Sequence, residues 1–386
     1  MLDRRQFLAG VSVIGSAMFS TRLVGAEAGV SANKIVFGQA AAFEGPASAL
    51  GLGMRDGINV AFAEVNAAGG IKGRKLELVT RDDGYEPTKS IEATKALIAQ
   101  NVFALIGPVG TPTSMAALTL VKEAQIPFIG PFTGTEALRN PYQPLVVNVR
   151  ASYFQETEVM VERLTKDRGF KKIAILYQDD AFGQAGLAGT RRAMDKRKMS
   201  LVAEGAFERN TVAVRSALLA IRRAEPQAVI MIGPYKPCAE FIKLARQIKF
   251  TPTFVNISFV GSDALAQELG QAGAGVVVTQ VVPFPSDTSI PVVAAYHKAL
   301  KAALPNAQPG FVSLEGYLVG RTVAEALKTV GGELTRKSLM AKLTNANYDL
   351  GGFQLSFAPN NNQGSNKVFL TVIGADGKFK SVTTLG

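Results

Sequence analysis

The chain has 386 residues, 47% of them hydrophobic and 19% charged, with a net charge of +11. That balance, with a mean hydropathy of +0.16, excludes a disordered chain and a coiled coil and calls for large buried cores in one large or two ordinary domains. The single cysteine, Cys238, excludes an intramolecular disulfide, and the single histidine, His297, excludes a two-histidine metal motif, so no metal or cofactor is expected.

Residues 1–28 read as an export signal. Arg4-Arg5 precede an apolar run from Phe7 to Phe19, which is shorter than the about 20 residues that span a bilayer. Small residues then offer cleavage after Ala26 or Ala28. The run Asp3 to Leu8 is similar to the twin-arginine signal, with Asp where Ser or Thr is usual, and the general secretory route stays open. A periplasmic location is expected.

From residue 34 onward, short apolar runs alternate with helical spacings. Strands are predicted at 34–39, 75–80, 102–107 and 126–130, with helices over 53–67, 87–99 and 112–124. Pro87 suits a first helical turn, and Gly69-Gly70 stop the preceding helix. This order implies a parallel sheet with helices on both faces. The order then repeats. Strands at 171–177, 200–207, 228–234 and 253–258 echo the first set, and both opening strands run into a glutamine, Gln39 and Gln178. Two lobes of one architecture are expected. The remainder carries strands at 275–282, 353–357 and 367–382 and helices at 291–304, 311–329 and 335–343. It must serve both lobes.

In open parallel sheets, ligands bind beyond the carboxyl ends of the strands. Two such faces opposed across a hinge form a cleft. On the first side, Gly107 to Pro112 places Thr111 as a helix N-cap, and Thr133-Gly134-Thr135-Glu136 has capping-box spacing. Two helix N-termini converging on the cleft suit a carboxylate. Thr111 and Thr133 either only cap their helices or also meet the ligand. Phe132, Phe182, Tyr235 and Ser258 follow strands and are candidates on the same ground, against the alternative of ordinary core positions.

Other motifs carry little. Gly51, Gly53 and Gly57 miss the dinucleotide fingerprint by one residue, and neither a phosphate loop nor a nucleophile elbow is present. Cys238 reads as a packed free thiol, and His297 sits in a polar helical pattern as a solvated residue. The basic residues are dispersed, and the densest stretch, Arg191 to Lys198, reads as the solvated end of a helix. No nucleic-acid partner is expected; the charge suits steering of anionic ligands.

Several stretches together resemble the substrate-binding proteins of branched-chain amino acid ABC transporters, which have the type I periplasmic binding protein fold. They are Gly45-Pro46 to Gly51, the run Asn66 to Leu76, Asp82-Asp83 with Pro87, Ile106-Gly107-Pro108, and Gly316-Tyr317. The resemblance implies two Rossmann-like, doubly wound α/β lobes joined by a three-strand hinge. Residues 33–150 plus 279–354 would form lobe 1, and 151–278 plus 355–386 lobe 2. It implies a monomeric, non-enzymatic receptor that delivers a small-molecule ligand to a permease in the inner membrane. A sensory receptor module is the alternative. Carried over by position, the ligand contacts fall on Thr111, Phe132, either Thr133 or Gly134, Phe182 and Tyr235. Leu50 stands where amino-acid binders place a tyrosine, and Ser258 where they place the acid that pairs with the ligand ammonium. A buried ammonium without a countercharge is costly, so beside the amino acid that the resemblance implies, an aromatic or aliphatic carboxylate, an amide or another small organic molecule without an α-amino group is expected. Tyr85 and Gly110 occupy the positions of a disulfide found in some relatives.

Overall fold

A computed structural model describes residues 27–386 of the protein. The Arg4-Arg5 motif and the apolar run of the expected export signal lie outside the described residues.

The first five strands are β1 (Lys34–Ala41), β2 (Lys75–Asp82), β3 (Ala104–Ile106), β4 (Phe128–Ile129) and β5 (Val146–Val147). They form one parallel sheet in the order β2-β1-β3-β4-β5. The helices between them are α1 (Ser48–Ala67), α2 (Pro87–Ala99) and α3 (Thr111–Glu123). The next set repeats the plan. Helix α4 (Tyr153–Lys166) leads into β6 (Ile173–Gln178), α5 (Ala181–Asp195), β7 (Ala203–Phe207), α6 (Arg215–Arg223), β8 (Ala228–Ile232), α7 (Tyr235–Gln247), β9 (Thr253–Asn256), α8 (Ser262–Leu269) and β10 (Val277–Gln280). Strands β7-β6-β8-β9-β10 run in the same parallel order as the first sheet. Two doubly wound α/β lobes result, as the repeated strand chemistry predicts.

The rest of the chain serves both lobes. Helices α9 (Pro291–Ala303) and α10 (Phe311–Thr329) pack on α1 of the first lobe, and α11 (Arg336–Leu343) packs on α10. A small hairpin, β11 (Asn347–Asp349) with β12 (Gln354–Ser356), follows. Then β13 (Phe369–Ile373) pairs antiparallel with β10 of the second sheet, and β14 (Phe379–Val382) closes its edge. The chain therefore passes between the lobes three times. The first and third passages lie side by side, bridged between Asn148 and Gln363. Asn362 holds them together, donating to the carbonyls of Leu138 and Gln143.

Gly57, one of the glycines that imitate a dinucleotide fingerprint, shares a packing role with Gly316 of α10. A Cβ on Gly57 would fall on the Ser313 carbonyl oxygen, and one on Gly316 on the Met54 carbonyl oxygen. These glycines bring α1 and α10 to near backbone contact, which larger residues would prevent. The run Asn66 to Leu76, the most specific part of the family resemblance, is also structural. The Asn66 side chain both accepts from the Leu76 N–H and donates to the Leu76 carbonyl, at 2.7 and 2.9 Å. It clamps the turn from α1 into β2, where Gly70 has φ +74° and a Cβ would strike the Arg74 carbonyl.

Candidate functional site

All eight candidate residues lie where the loops after the two sheets face each other. The registers that align Ala41 with Asp82, and Gln178 with Phe207, bring neighbouring strands of each lobe to a common level. The loops that follow them emerge toward the opposite lobe.

The capping expectations are corrected. The N-cap of α3 is Gly110, whose φ of +104° turns the chain into the helix. Thr111 is the first helical residue, and its hydroxyl caps nothing. It lies 2.6 Å from the Thr133 hydroxyl. Thr133 starts no capping box, because the segment after it is a single 3₁₀ turn, Glu136–Leu138, capped by Thr135. The Thr133 hydroxyl instead donates to the Tyr153 oxygen at 3.3 Å and accepts from the Thr135 N–H. Of the two helix N-termini expected from Thr111 and Thr133, only that of α3 is an α-helical one. Gly134 supplies space: a Cβ there would overlap the Tyr153 ring.

The second lobe meets this surface with aromatic side chains. Phe182, in the first turn of α5 after the Asp180 cap, packs on Tyr153 with ring centroids 5.4 Å apart. Phe259, in the 3₁₀ turn Ser258–Val260, lies 4.5 Å from Phe182, 5.3 Å from Phe132 and 6.0 Å from Tyr85 by ring centroids. Such spacings are favourable for aromatic pairs. Leu50 and Tyr235 form an adjoining contact around Gly261, whose Cβ position faces both side chains. The Tyr235 hydroxyl accepts from the Ala49 N–H at 3.4 Å. Every one of these candidates is buried.

Sequence reasoning missed the charged centre of this cluster. Arg150 leaves the first lobe at the first passage, and its guanidinium lies over the Phe132 ring at 4.9 Å. Its Nη2 donates to Glu156 Oε1 at 3.2 Å and to the Ser258 hydroxyl. Nη1 lies 3.5 Å from Glu315 Oε1, and neither Nη1 nor Nε has a hydrogen-bond partner among the described residues. All three charged side chains are almost fully excluded from solvent. Glu156 is well supplied. It accepts from Arg150, from the Ser258 N–H and hydroxyl, and from the Thr279 hydroxyl. Glu315 is not: burial pushes its carboxyl up to about 7, against the pull of Arg150. The acid absent at Ser258 thus reaches the same place from α4.

Further contacts cross the mouth of the cleft. Arg209, after β7, bonds Glu86 of the first lobe at 2.8 Å, and the Asn210 side chain donates to Glu86 and to the Gly84 carbonyl. Gln178 donates to the Tyr85 hydroxyl at 3.2 Å, and Asp263 accepts from the Phe311 N–H at 2.8 Å. Tyr85 and Gly110 touch, as the disulfide positions of the resemblance require of neighbours. The half-buried pair Arg209–Glu86 is worth about 1 kcal/mol at most. Arg209→Ala is therefore expected to loosen the lobes without unfolding either, read as a larger radius of gyration in solution scattering with little change in melting temperature. An unchanged radius would remove this contact from any role in holding the lobes together.

Cys238 is fully buried, and burial raises its thiol pKa, so it is the packed thiol that the sequence suggests. His297 is less solvated than expected: half-buried, with Nε2 2.6 Å from the Pro285 carbonyl. The basic stretch Arg191 to Lys198 closes α5, where Arg191 pairs with Glu204, and Lys196 and Arg197 with Glu158. Among the described residues, no helix is long and apolar enough to cross a membrane.

Comparison with known proteins joins these observations to a family. The profile described as "Periplasmic binding protein" matches residues 34–378. The chain belongs to the periplasmic binding protein family. Leu/Ile/Val-binding protein homolog 7 of Brucella suis biovar 1 is 24% identical over 362 residues, 88% of this chain and 89% of that protein. Among solved structures, a possible leucine/isoleucine/valine-binding protein from Rhodopirellula baltica SH 1 superposes with a TM-score of 0.88 at 38% identity. It covers 92% of this chain and 99% of that one. A fatty acid ABC transporter substrate-binding protein from Thermomonospora curvata shares the fold, with a TM-score of 0.84 at 22% identity over 92% of this chain and 93% of that one. The type I fold and a ligand-binding role follow from family membership, and the family is periplasmic.

Proposed function

We propose that this periplasmic binding protein closes its two lobes over a small organic solute and hands it to the permease of an ABC importer in the inner membrane. The observation that carries this reading is the buried cluster built from both lobes, in which Arg150 keeps N–H groups without partners. A ligand that touches both faces favours the closed arrangement by as much as its affinity for closed exceeds that for open. The names of the Brucella and Thermomonospora proteins support a solute and a transporter as partners. In this reading lobe 1 comprises 33–150 plus 279–354 and lobe 2 comprises 151–278 plus 355–386. Thr111, Phe132, Thr133, Gly134 and Leu50 face Phe182, Tyr235 and Ser258 across the ligand. The protein acts as a monomer, and Arg4-Arg5 direct its export.

Native mass spectrometry of protein purified from its source without refolding tests the reading. The expected result is a monomer carrying one small molecule. Adding that molecule back to stripped protein should shrink the solution scattering envelope. An identical envelope with and without it would overturn the closing-receptor reading. A neighbouring permease and ATPase in the operon is the expected genetic context; a neighbouring signalling receptor instead would assign the protein to sensing.

A further inference from the structure

We infer, on the receptor reading above, that the solute is an aryl carboxylate, whose carboxylate accepts from Arg150 and whose ring takes the position of the Phe259 ring between Tyr85, Phe132 and Phe182. The argument begins with the guanidinium. Arg150 is 1% exposed, yet only Nη2 makes hydrogen bonds; Nη1 has no more than the 3.5 Å ion pair with Glu315, and Nε has no partner among the described residues. Leaving buried donors unpaired is costly, and charged donors cost the most. A ligand carboxylate supplies the missing acceptor in a charge-assisted bond.

The two acids beside Arg150 do not fit a ligand ammonium equally well. Glu156 already accepts from four donors, Arg150 Nη2, the Ser258 N–H and hydroxyl, and the Thr279 hydroxyl. Glu315 makes no hydrogen bond among the described residues, and burial pushes its carboxyl up to about 7, against the pull of Arg150. The guanidinium is the charged group left with N–H bonds to give.

The second half of the argument is the ring site. Phe259 sits on one 3₁₀ turn that ends at Gly261, where φ is +77°. Its side chain fills an aromatic cage contributed by both lobes, with ring centroids 4.5 to 6.0 Å away. The cage lies beside the guanidinium, because Phe132 packs against Phe259 in a tilted pair and also lies under Arg150. A flat aromatic ring is what this cage already holds. The inference requires the Phe259 ring to swing out of the cage while Ser258 keeps its bonds to Glu156.

The inference includes a proton. Glu315 faces Arg150, with Glu156 and Arg139 as the other charged groups acting on it. An anion placed on Arg150 raises the Glu315 pKa further, so binding above pH 7 takes up a proton. Affinity should be level from about pH 5 to pH 7, where the ligand is already an anion, and fall up to about tenfold per pH unit above pH 7.

The test is thermal shift followed by calorimetry on the purified protein with benzoate, 4-hydroxybenzoate, hexanoate, benzamide, L-leucine and L-phenylalanine. The expected result is binding of an aryl carboxylate at least 100-fold tighter than benzamide or either amino acid. Arg150→Lys should weaken it at least 100-fold. Glu315→Gln, which is isosteric and cannot ionise, should abolish the loss of affinity between pH 7 and pH 8.5, and it is a second readout if Arg150→Lys does not fold. Tighter binding of leucine or phenylalanine overturns the ligand class while leaving the receptor reading standing. Binding of hexanoate without either aromatic acid overturns the ring assignment. No binding across the panel overturns the inference, and only the absence of any closing solute in the native experiment overturns the receptor reading with it.

Discussion

Replacing Glu156 by leucine is expected to cost about 3–5 kcal/mol of folding stability, the range for breaking a buried ion pair from one side. The carboxylate is fully buried and gathers donors from four directions: Arg150, the Ser258 backbone and hydroxyl, and Thr279. Leucine fills the volume but leaves Arg150 charged, with Glu315 as its remaining acid. It also strands the Ser258 N–H and leaves the Thr279 hydroxyl only its longer bond to the Asn256 carbonyl, at 3.4 Å. A urea-unfolding midpoint measures the loss. Glu156→Gln keeps an acceptor and should lose less. The double variant Arg150→Met with Glu156→Leu removes both charges and should recover most of the stability, since apolar replacement of a whole buried pair is often neutral. A single-variant loss below about 1 kcal/mol would show that the carboxylate does not hold this centre together.

The second large effect is expected at Gly57. Leucine there forces a side chain into the Ser313 carbonyl and the backbone of Gly316 and Tyr317. None of these is the free end of a flexible chain, so α1 and α10 must separate. Overpacking of this kind costs about 1–3 kcal/mol, and here the upper end applies because backbone is struck. Gly331→Ala is the matched control: a Cβ there meets nothing within 4 Å, and its φ is not in the left-handed region. Thermal melting should drop for Gly57→Leu and hold for Gly331→Ala. Equal melting temperatures would mean that the two helices are not pressed together as described.

Much of the architecture was legible in local patterns. Helices predicted at 87–99 and 311–329 have those bounds, because Pro87 and the apolar spacing of the second leave little choice. The repeat of strand, helix and glutamine forecast two lobes, and both sheets share one strand order. The short strand β5 and the hairpin strand β11 were not foreseen, since two or three residues carry no period. Within the candidate site, the rule of looking beyond strand ends gathered Thr111, Phe132, Thr133, Phe182, Tyr235 and Ser258 into one region. The caps were misread by one or two residues because a glycine at φ +104° takes the cap position, which a spacing rule does not register. Arg150, Glu156 and Glu315 were missed because their meaning is tertiary. Each alone reads as a polar interruption. A lone arginine ending the run Leu145 to Val149 and a lone glutamate within the apolar stretch from Phe311 to Val319 were the available signals. An ionisable residue inside an apolar run asks for a partner elsewhere in the chain.

The threefold passage between lobes also governs the order in which the polypeptide can mature. Strand β10 waits for β13, which begins at Phe369, and α1 waits for α10, which begins at Phe311. A nascent chain emerging from the ribosome therefore holds both cores unfinished until its last segments arrive. Neither half can be released as a self-sufficient fragment by one cut, and truncation near residue 345 would leave the second sheet with β10 as a bare edge, an invitation to association between chains.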